Sequence, residues 1–384
     1  MPYSLLEAKP IEELCKVVDC EHKTAPYVDE SEYLVVRTSN VRDGQLVMES
    51  MKYTTLEGYN EWTSRAVPEH GDVLFTREAP AGESCLVPSD TKVCMGQRMV
   101  MLRPHKSEVD PVFLSMILNT ERTKNDIYRL SIGSTVSRIN IADIKKLKVA
   151  SPPLPEQQKI AKILSTWDKA INTTERLIDN STQQKKALMQ QLLTGKKRLL
   201  DDEGKRFESE WAERAVSSLG KIYSGGTPST SNTEYWDGDI NWITPTDITK
   251  QDSRYINSSL RKITLEGLEN SSAKLVPAGS LLICTRATIG AMAITSNEMC
   301  TNQGFKNIVP NSKTNIVFVY YLLTYNKHRM ISKASGSTFL ELSKTSFESM
   351  RFRMPPLKEQ QKIATVLANA DKEIELLEQQ LADL

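Results

Sequence analysis

The 384-residue sequence has no long apolar run and almost no net charge. Its longest apolar stretch, Ile316 to Leu323, is far shorter than the roughly 20 residues that a membrane-spanning helix needs. The N-terminus lacks the basic and then apolar layout of a secretory signal peptide. The 49 basic and 48 acidic side chains nearly cancel, which excludes a polycation that coats nucleic acid by bulk attraction. We therefore expect a cytoplasmic protein without a membrane segment.

Residues that carry common catalytic chemistry are also scarce. Six cysteines are few for this length and form no C-x-x-C pair, which favours a reducing compartment. The four histidines lie far apart, outside any H-E-x-x-H frame, and neither a phosphate-binding loop nor a G-x-G-x-x-G turn is present. The Asn-Pro-Pro-aromatic motif of amino-methylating enzymes is missing as well. The sequence predicts no catalytic constellation, no metal site and no cofactor of its own.

The dominant feature is instead an internal repeat. Residues 152–164 read PPLPEQQKIAKIL and residues 355–367 read PPLKEQQKIATVL, with ten of thirteen positions identical at an offset of 203. Gly133-Ser134-Thr135 likewise matches Gly336-Ser337-Thr338 at that offset, and GDVLFTRE (71–78) faces GSLLICTRA (279–287). The chain is therefore two copies of one plan: a variable segment of about 150 residues, then a nearly identical segment that begins Pro-Pro-Leu.

The nearly identical segments read as long helices. Pro155 lies where a first helical turn tolerates a missing N–H, and apolar residues then recur at 4-3 spacing to about Leu193. The spaced positions are Ile160, Leu164, Trp167, Ile171, Thr174, Ile178, Ser181, Lys185, Leu188 and Leu192 in the first copy, and Ile363, Leu367, Ala370, Ile374, Leu377, Leu381 and Leu384 in the second. This spacing is typical of coiled coils. Pairing the two helices with each other buries both stripes most simply; burial against a partner protein is the alternative.

The variable segments read as mixed α/β domains. YLVVRTSNV (33–41), the Asp43-Gly44 turn and QLVMES predict a hairpin, and HGDVLFTRE predicts a further strand. In the second segment, INWITPTDI (240–248) and LLICTR (281–286) are β-rich, and Val317 to Tyr325 predicts a buried helix. Charge is uneven: residues 1–150 hold 19 basic and 22 acidic side chains, whereas residues 206–354 hold 17 and 13. Attraction to phosphates would have to come from local patches or from basic partners.

The order of variable domain, PPLxEQQKIA helix, variable domain, PPLxEQQKIA helix resembles the specificity subunit of type I restriction-modification enzymes. Further marks of the resemblance are Leu-Leu-Thr-Gly-Lys (192–196) and SGGTPS…YWDGDINWI (224–243). The resemblance implies that each variable domain recognises one half of a bipartite double-stranded DNA target, with the helices as a ruler between them. It implies two methyltransferase subunits docked beside the chain and up to two motor-nuclease subunits. S-adenosylmethionine, ATP and Mg²⁺ would then belong to those partners, and this chain would not be an enzyme.

The predicted fold class is α/β, with two repeated target recognition domains separated by long helices that pair as an antiparallel coiled coil with pseudo-two-fold symmetry. The predicted boundaries are 1–151 and 211–354 for the recognition domains, 152–198 and 355–384 for the spacer helices, and 199–210 for the linker. A helix of the predicted length spans about 58 Å. This length exceeds the roughly 34–36 Å that separates two recognition domains bound to the same face of B-DNA.

The resemblance places DNA contacts on polar, turn-rich segments. Arg, Asn and Gln offer bidentate hydrogen bonds to bases, and Ser and Thr suit phosphates. In the second domain the candidates are Thr227, Ser229, Thr244, Thr246, Asp247, Arg286, Thr288, Asn302, Gln303, Lys306, Ser337 and Thr338. In the first they are Lys23, Arg37, Ser39, Asn40, Arg42, Arg77, Arg98, Ser134, Thr135 and Arg138. For any one of them, a turn or strand end is the competing interpretation.

A second group is too alike between the copies to read different DNA sequences. It comprises Glu156, Gln157, Gln158 and Lys159 with their counterparts Glu359, Gln360, Gln361 and Lys362. We expect these residues either to face the methyltransferase subunits or to cap the helices.

Two functions from other classes stay open at this point. One is a self-contained DNA methyltransferase or nuclease with an unrecognised active site. The other is a coiled-coil scaffold without a DNA role, which leaves the divergence of the two variable domains unexplained.

Overall fold

The computed structural model describes residues 7–132, 137–251, 253–336 and 340–384. The chain divides into two compact units, residues 1–170 and 171–384, and each is described by itself. One helix, Leu154–Leu193, begins in the first unit and ends in the second.

The first unit is a mixed α/β domain followed by the start of the long helix. Its strands are β1 Ala8–Pro10, β2 Cys15–Asp19, β3 Tyr33–Val36, β4 Val41–Arg42, β5 Gln45–Leu46, β6 Lys52–Thr54, β7 Val73–Thr76, β8 Ser84–Leu86, β9 Lys92–Met95, β10 Met99–Pro104 and β11 Lys148–Ala150. Its helices are α1 Ile11–Leu14, α2 Leu56–Trp62, α3 Pro111–Leu118, α4 Glu121–Leu130, α5 Ile141–Lys146 and α6 Leu154–Leu193. The sheets have the orders β2-β10-β7-β8 and β6-β3-β9, beside the pairs β1-β11 and β4-β5.

The four-stranded sheet of the first unit is buried on both faces. Phe75 and Leu102 point into a core shared with α3, whereas Leu74 and Met101 point into a core shared with β3. This alternation is the two-residue period of a strand. The sheet therefore holds the ends of β2 and β7 and the β9–β10 turn rigidly.

The hairpin predicted over residues 33–50 is shorter than expected. Only β4 and β5 pair across the turn, whose Asp43 and Gly44 both have positive φ, at 49° and 80°. The apolar strand Tyr33–Val36 instead lies between β6 and β9. A run this apolar is more stable in the middle of a sheet, where both of its faces are covered.

The second unit repeats this plan. Its strands are β12 Ala212–Ala215, β13 Gly220–Ser224, β14 Trp236–Ile243, β15 Tyr255–Ile256, β16 Lys262–Ile263, β17 Leu281–Cys284, β18 Met292–Thr295, β19 Cys300–Thr301, β20 Phe305–Pro310 and β21 Arg351–Met354. Its helices are α7 Pro245–Thr249, α8 Leu265–Glu269, α9 Ile316–Tyr325, α10 Lys327–Ser332, α11 Lys344–Glu348 and α12 Leu357–Asp383. The sheets have the orders β13-β20-β17-β18-β15 and β16-β14-β19, beside the pair β12-β21. The predicted helix at 317–325 is confirmed, whereas TPTDI is the helical turn α7 and not a strand.

Within residues 171–384, the end of α6 pairs with α12 in antiparallel fashion. Ser181 donates to Glu373 at 3.0 Å, and four residues later Lys185 forms an ion pair with Asp371. Further along α6, Leu188, Met189, Leu192 and Leu193 share one core with Ile363, Ala364 and Leu367. The predicted antiparallel pairing is confirmed over this part of the helices.

A buried glutamine fastens each long helix to its own domain. Gln157 accepts a hydrogen bond from the Asp110 amide at 3.0 Å and donates to the carbonyls of Glu108 at 3.1 Å and Pro152 at 2.8 Å. Gln360 does the same: it accepts from the Asn315 amide at 2.9 Å and donates to the carbonyls of Lys313 at 3.4 Å and Pro355 at 2.9 Å. Asp110 and Asn315 are the N-caps of α3 and α9. The repeated Gln therefore links the start of each long helix to a core helix.

We expect Gln157→Ala to lower the free energy of unfolding by about 1–3 kcal/mol, because it leaves a buried N–H and two carbonyls without partners. The neighbouring Gln158 is exposed, so Gln158→Ala should change stability by less than about 0.5 kcal/mol. Urea denaturation of the two variants measures the difference. Equal effects would show that the glutamine does not fasten the helix.

Candidate nucleic-acid interface

In the first domain, side chains from separate segments line one polar cavity. They come from the end of β2, the end of β7, the β9–β10 turn and the segment before α5. We call these residues the first tip: His22, Arg77, Glu78, Gln97, Arg98 and Arg138. Arg98 Nε lies 2.7 Å from the Glu78 carboxylate, and Gln97 donates to the carbonyl of His22 at 3.2 Å. The cavity thus presents acceptors and donors side by side.

Arg77 supports the first tip and is not one of its exposed groups. Its side chain is 8% exposed and forms an ion pair with Asp19 at 3.1 Å. Asp19 also contacts His22 Nε2 at 3.1 Å. Arg77 therefore holds the end of β2 against the end of β7, whereas Arg98 and Arg138 of the first tip are exposed.

The corresponding cavity of the second domain is lined by residues that we call the second tip: Pro245, Arg286, Ala287, Asn302, Gln303 and Gly304. Asn302 accepts from the Gly304 amide at 2.9 Å, which shapes the β19–β20 turn. Gln303 is exposed at its apex and accepts a hydrogen bond from Thr227. A Cβ on Gly225 would lie 1.8 Å from the Asn302 carbonyl oxygen, so the Ser-Gly-Gly-Thr segment needs glycine there.

Main-chain hydrogen bonds show which residues of the two tips are equivalent. The Arg77 amide donates to the Arg98 carbonyl, and the Thr285 amide donates to the Gly304 carbonyl, both at 2.8 Å. Glu78 forms a bridge with Arg138, and Arg286 forms the same bridge with Glu341. Arg286 is therefore the counterpart of Glu78.

Two predicted DNA-contacting residues are structural. Asn40 is fully buried; it accepts from the Arg37 amide and donates to the carbonyls of Val47 and Glu49. Asp247, in the same place of the second domain, accepts from the amide and hydroxyl of Thr244 and from the Leu260 amide. Both residues close the turn that follows the central strand, so neither side chain has the free groups that base reading needs.

Lys306 is a third correction. It lies in β20 with 6% exposure, and burial lowers the pKa of its ammonium group. Arg37 and Thr244 are half-buried, and the Arg37 guanidinium donates to the Ser50 carbonyl at 2.6 Å.

The remaining candidates divide into exposed and undescribed residues. The exposed ones are Lys23, Ser39, Arg42, Ser229, Thr246 and Thr288. Thr246 follows Pro245 of the second tip, and Thr288 follows Ala287. Ser134, Thr135, Ser337 and Thr338 lie outside the described residues.

The residues predicted to face the methyltransferase subunits fall into a buried group and an exposed group. Gln157, Gln360 and Glu359 are buried, so they are corrected to structural roles. Glu359 accepts from Arg198 Nε at 2.6 Å and from Trp211 Nε1 at 3.3 Å. The others reach the surface: Glu156, Gln158, Lys159 and Gln361 are exposed, and Lys362 pairs with Asp202 at 2.8 Å.

His22, Glu78 and Gln97 were missed by the sequence reasoning. Gln97 and Gln303 stand at equivalent turn positions at an offset of 206, three more than the offset of the helices. A search for paired polar residues that allowed small gaps would have found them. Nothing local marked Glu78, because its surroundings come from Arg98 and Arg138.

Over the described ranges, no three His, Cys, Asp or Glu side chains form a group that could hold a metal ion. All six cysteines are buried, and burial raises the pKa of Cys15, Cys85, Cys94, Cys284 and Cys300 to about 12. Among the described residues, no helix is long and apolar enough to cross a membrane.

A protein-family model described as "Type I restriction modification DNA specificity domain" matches residues 4–180 and again residues 208–384. The chain belongs to this family. Each match contains one tip and at least the start of one long helix, so a specificity domain comprises one reader and its spacer.

Curated relatives carry the same description. The Type I restriction enzyme MjaIX specificity subunit of Methanocaldococcus jannaschii is 38% identical over 172 residues, 44% of this chain and 40% of that protein. The putative MjaX specificity subunit of the same organism is 29% identical over 80% of this chain and 73% of that protein. The EcoR124I/EcoR124II specificity subunit of Escherichia coli is 29% identical over 59% of this chain and 56% of that protein. The chain thus spans less than half of the MjaIX relative.

Solved structures show the same fold. A type I restriction-modification S subunit from M. genitalium superposes with a TM-score of 0.61 at 15% identity, over 100% of this chain and 94% of that one. The HsdS subunit from Thermoanaerobacter tengcongensis gives a TM-score of 0.51 at 19% identity, over 99% and 92%. The predicted fold class of repeated specificity domains with long helices is confirmed.

The two neighbouring arginines of the first tip should respond differently to substitution. Arg77→Met removes the buried partner of Asp19 and should lower the free energy of unfolding by about 1–3 kcal/mol. Arg98→Met breaks an ion pair whose guanidinium is 56% exposed, so stability should change by less than about 1 kcal/mol. Chemical denaturation compares the two; a larger loss for Arg98→Met would contradict the assignment of Arg77 as a supporting residue.

Proposed function

We propose that this chain is the DNA-recognition subunit of a type I restriction-modification complex. Each tip reads one half of a bipartite target in double-stranded DNA. The long helices set the distance between the halves and hold two methyltransferase subunits, and up to two motor-nuclease subunits join them. The chain itself is not an enzyme, and S-adenosylmethionine, ATP and Mg²⁺ are used by the partners.

The observation that carries this proposal is the contrast between the tips and the helix starts. The hydrogen bonds of Gln157 and Gln360 are the same in both copies. At the tips the backbone is repeated but the side chains differ, with Glu78 opposite Arg286 and Arg98 opposite Gly304 as equivalents. Two readers of different half-sites need this combination, whereas a scaffold does not.

The chemistry of the tips suits bases more than bulk phosphate binding. Gln97 and Gln303 are exposed and can pair with adenine in the major groove, and Arg98 and Arg286 can pair with guanine. Each bidentate pair contributes roughly 1–3 kcal/mol of discrimination. Because the chain is nearly neutral, the salt-dependent part of the affinity would come from basic partner subunits.

The helices support the ruler and docking roles. Helix α6 has 40 residues, about 60 Å at 1.5 Å per residue. Its first half keeps an apolar stripe at the surface: Ile163, Leu164 and Trp167 are 49%, 44% and 47% exposed. The repeat equivalent of Leu164 is Leu367, which is fully buried in the core that contains Leu188 and Leu192. We assign the exposed stripe, with Glu156, Gln158 and Lys159 beside it, to a methyltransferase subunit.

Methylome sequencing of cells that express this chain with its methyltransferase subunit tests the recognition role. We expect one bipartite motif, and Gln97→Ala/Arg98→Ala should relax base identity in one half only, while Gln303→Ala relaxes the other. Methylation by the purified chain alone would instead support a self-contained enzyme. A motif that neither variant alters would remove the tips from recognition.

Co-purification tests the docking role. Leu164→Asp/Trp167→Asp places charges on the exposed stripe and should abolish capture of the methyltransferase subunit, with urea stability unchanged because both side chains are already half in water. Tyr128→Asp on α4, a side chain 74% exposed, is the matched control and should retain capture. Capture by the stripe variant would contradict the assignment.

A further inference from the structure

At the edge of each tip, two residues of opposite charge form an isolated β-bridge. The strand that carries the acidic residue differs between the two domains. In the first domain Glu78 extends from β7 and faces Arg138 across the bridge. In the second domain Arg286 extends from β17 and faces Glu341. The acidic residue and the arginine have therefore exchanged strands between two otherwise equivalent sites.

The equivalence of the four positions rests on the backbone around them. Ile132 and Arg138 exchange two hydrogen bonds of 2.8 and 3.0 Å, and Ser335 and Glu341 exchange two of 3.1 and 3.0 Å. The residues that follow Glu78 and Arg286, Ala79 and Ala287, both have positive φ, at 55° and 59°. Both bridges therefore lie at the same place of the same turn.

The β-bridge pair by itself does not select the order of the charges, although in the first domain Arg98 Nε, 2.7 Å from the Glu78 carboxylate, favours the acid at this position. A cross-strand pair of opposite charges contributes roughly 0.2–1 kcal/mol, and it does so whichever strand carries the acid. The arginine of each pair is exposed, and the acid is half-buried. The order of the charges therefore differs together with the turn residue, which is Arg98 in the first domain and Gly304 in the second.

The order of the acidic residue and the arginine does matter for a base pair in contact with the tip. A guanidinium donates to O6 and N7 of guanine, and a carboxylate accepts from N4 of cytosine. We propose that the pairs Glu78/Arg138 and Arg286/Glu341 are specificity-determining and that each reads one G·C pair of its half-site. Viewed from its own domain, the guanine then lies on one strand in the first half-site and on the other strand in the second.

This inference rests on the proposed function and needs the complete complex for its test. The variant Glu78→Arg/Arg98→Gly/Arg138→Glu gives the first domain the charge order of the second. Arg98→Gly is included because Arg98 otherwise faces a second guanidinium, and Gly304 stands at that turn position. Arg98 has φ 68°, which glycine adopts without strain. Arg98→Gly alone is the control.

Methylome sequencing should show that one G·C position of one half-site becomes C·G in the triple variant, with the other half unchanged. Purified complex should then bind the reversed site roughly 10- to 100-fold more tightly than the original one. The reciprocal variant, Arg286→Glu/Glu341→Arg, should reverse one position of the other half, and it keeps the test decisive if the first variant does not fold. An unchanged motif in folded variants, or the same change with Arg98→Gly alone, would overturn the inference. A wild-type complex that methylates no bipartite motif would overturn the proposed function itself.

Discussion

The rest of the molecule depends on the buried glutamine that joins each long helix to its domain. Its amide satisfies one N–H and two carbonyls at a point where three chain segments meet. Buried backbone groups without partners are costly, so these bonds fix how the helix leaves the domain. A reader at one end of such a helix is useful only if that direction does not vary. Both copies therefore keep Gln157 and Gln360 with the same three hydrogen bonds.

Apart from this glutamine, the structure distinguishes residues that stabilise the loops from residues that are exposed at the tips. Arg77, Asn40 and Asp247 are saturated by hydrogen bonds or ion pairs inside the domain, and they shape the loops. Gln97 and Gln303 are exposed in the β9–β10 and β19–β20 turns. A recognition surface built in this way can exchange contact residues without altering the turn beneath them. The two tips of this chain are an example of that exchange.

The two spacer helices are alike in sequence but not in surroundings. Glu359 is buried beneath Arg198 and Trp211, whereas its repeat equivalent Glu156 is exposed. The same holds for Leu367 and Leu164. Identical sequence therefore serves as core in one unit and as surface in the other, because the segment from Leu188 to Trp211 covers only the second copy.

The sequence by itself determined the repeat, the two helices, their 4-3 spacing and the family, because these depend on local periodicity and on identity at a constant offset. It also contained none of the catalytic motifs considered above. Only the tertiary structure decided which polar residues are exposed at the tips and which stabilise the loops through internal hydrogen bonds. Asn40, Asp247 and Gln157 look like ligands in the sequence, yet each is held by hydrogen bonds inside the chain, to partners up to 49 positions away. Glu78 and Gln97 carried no local signal, and they became site residues because strands distant in sequence end at the same edge of a sheet.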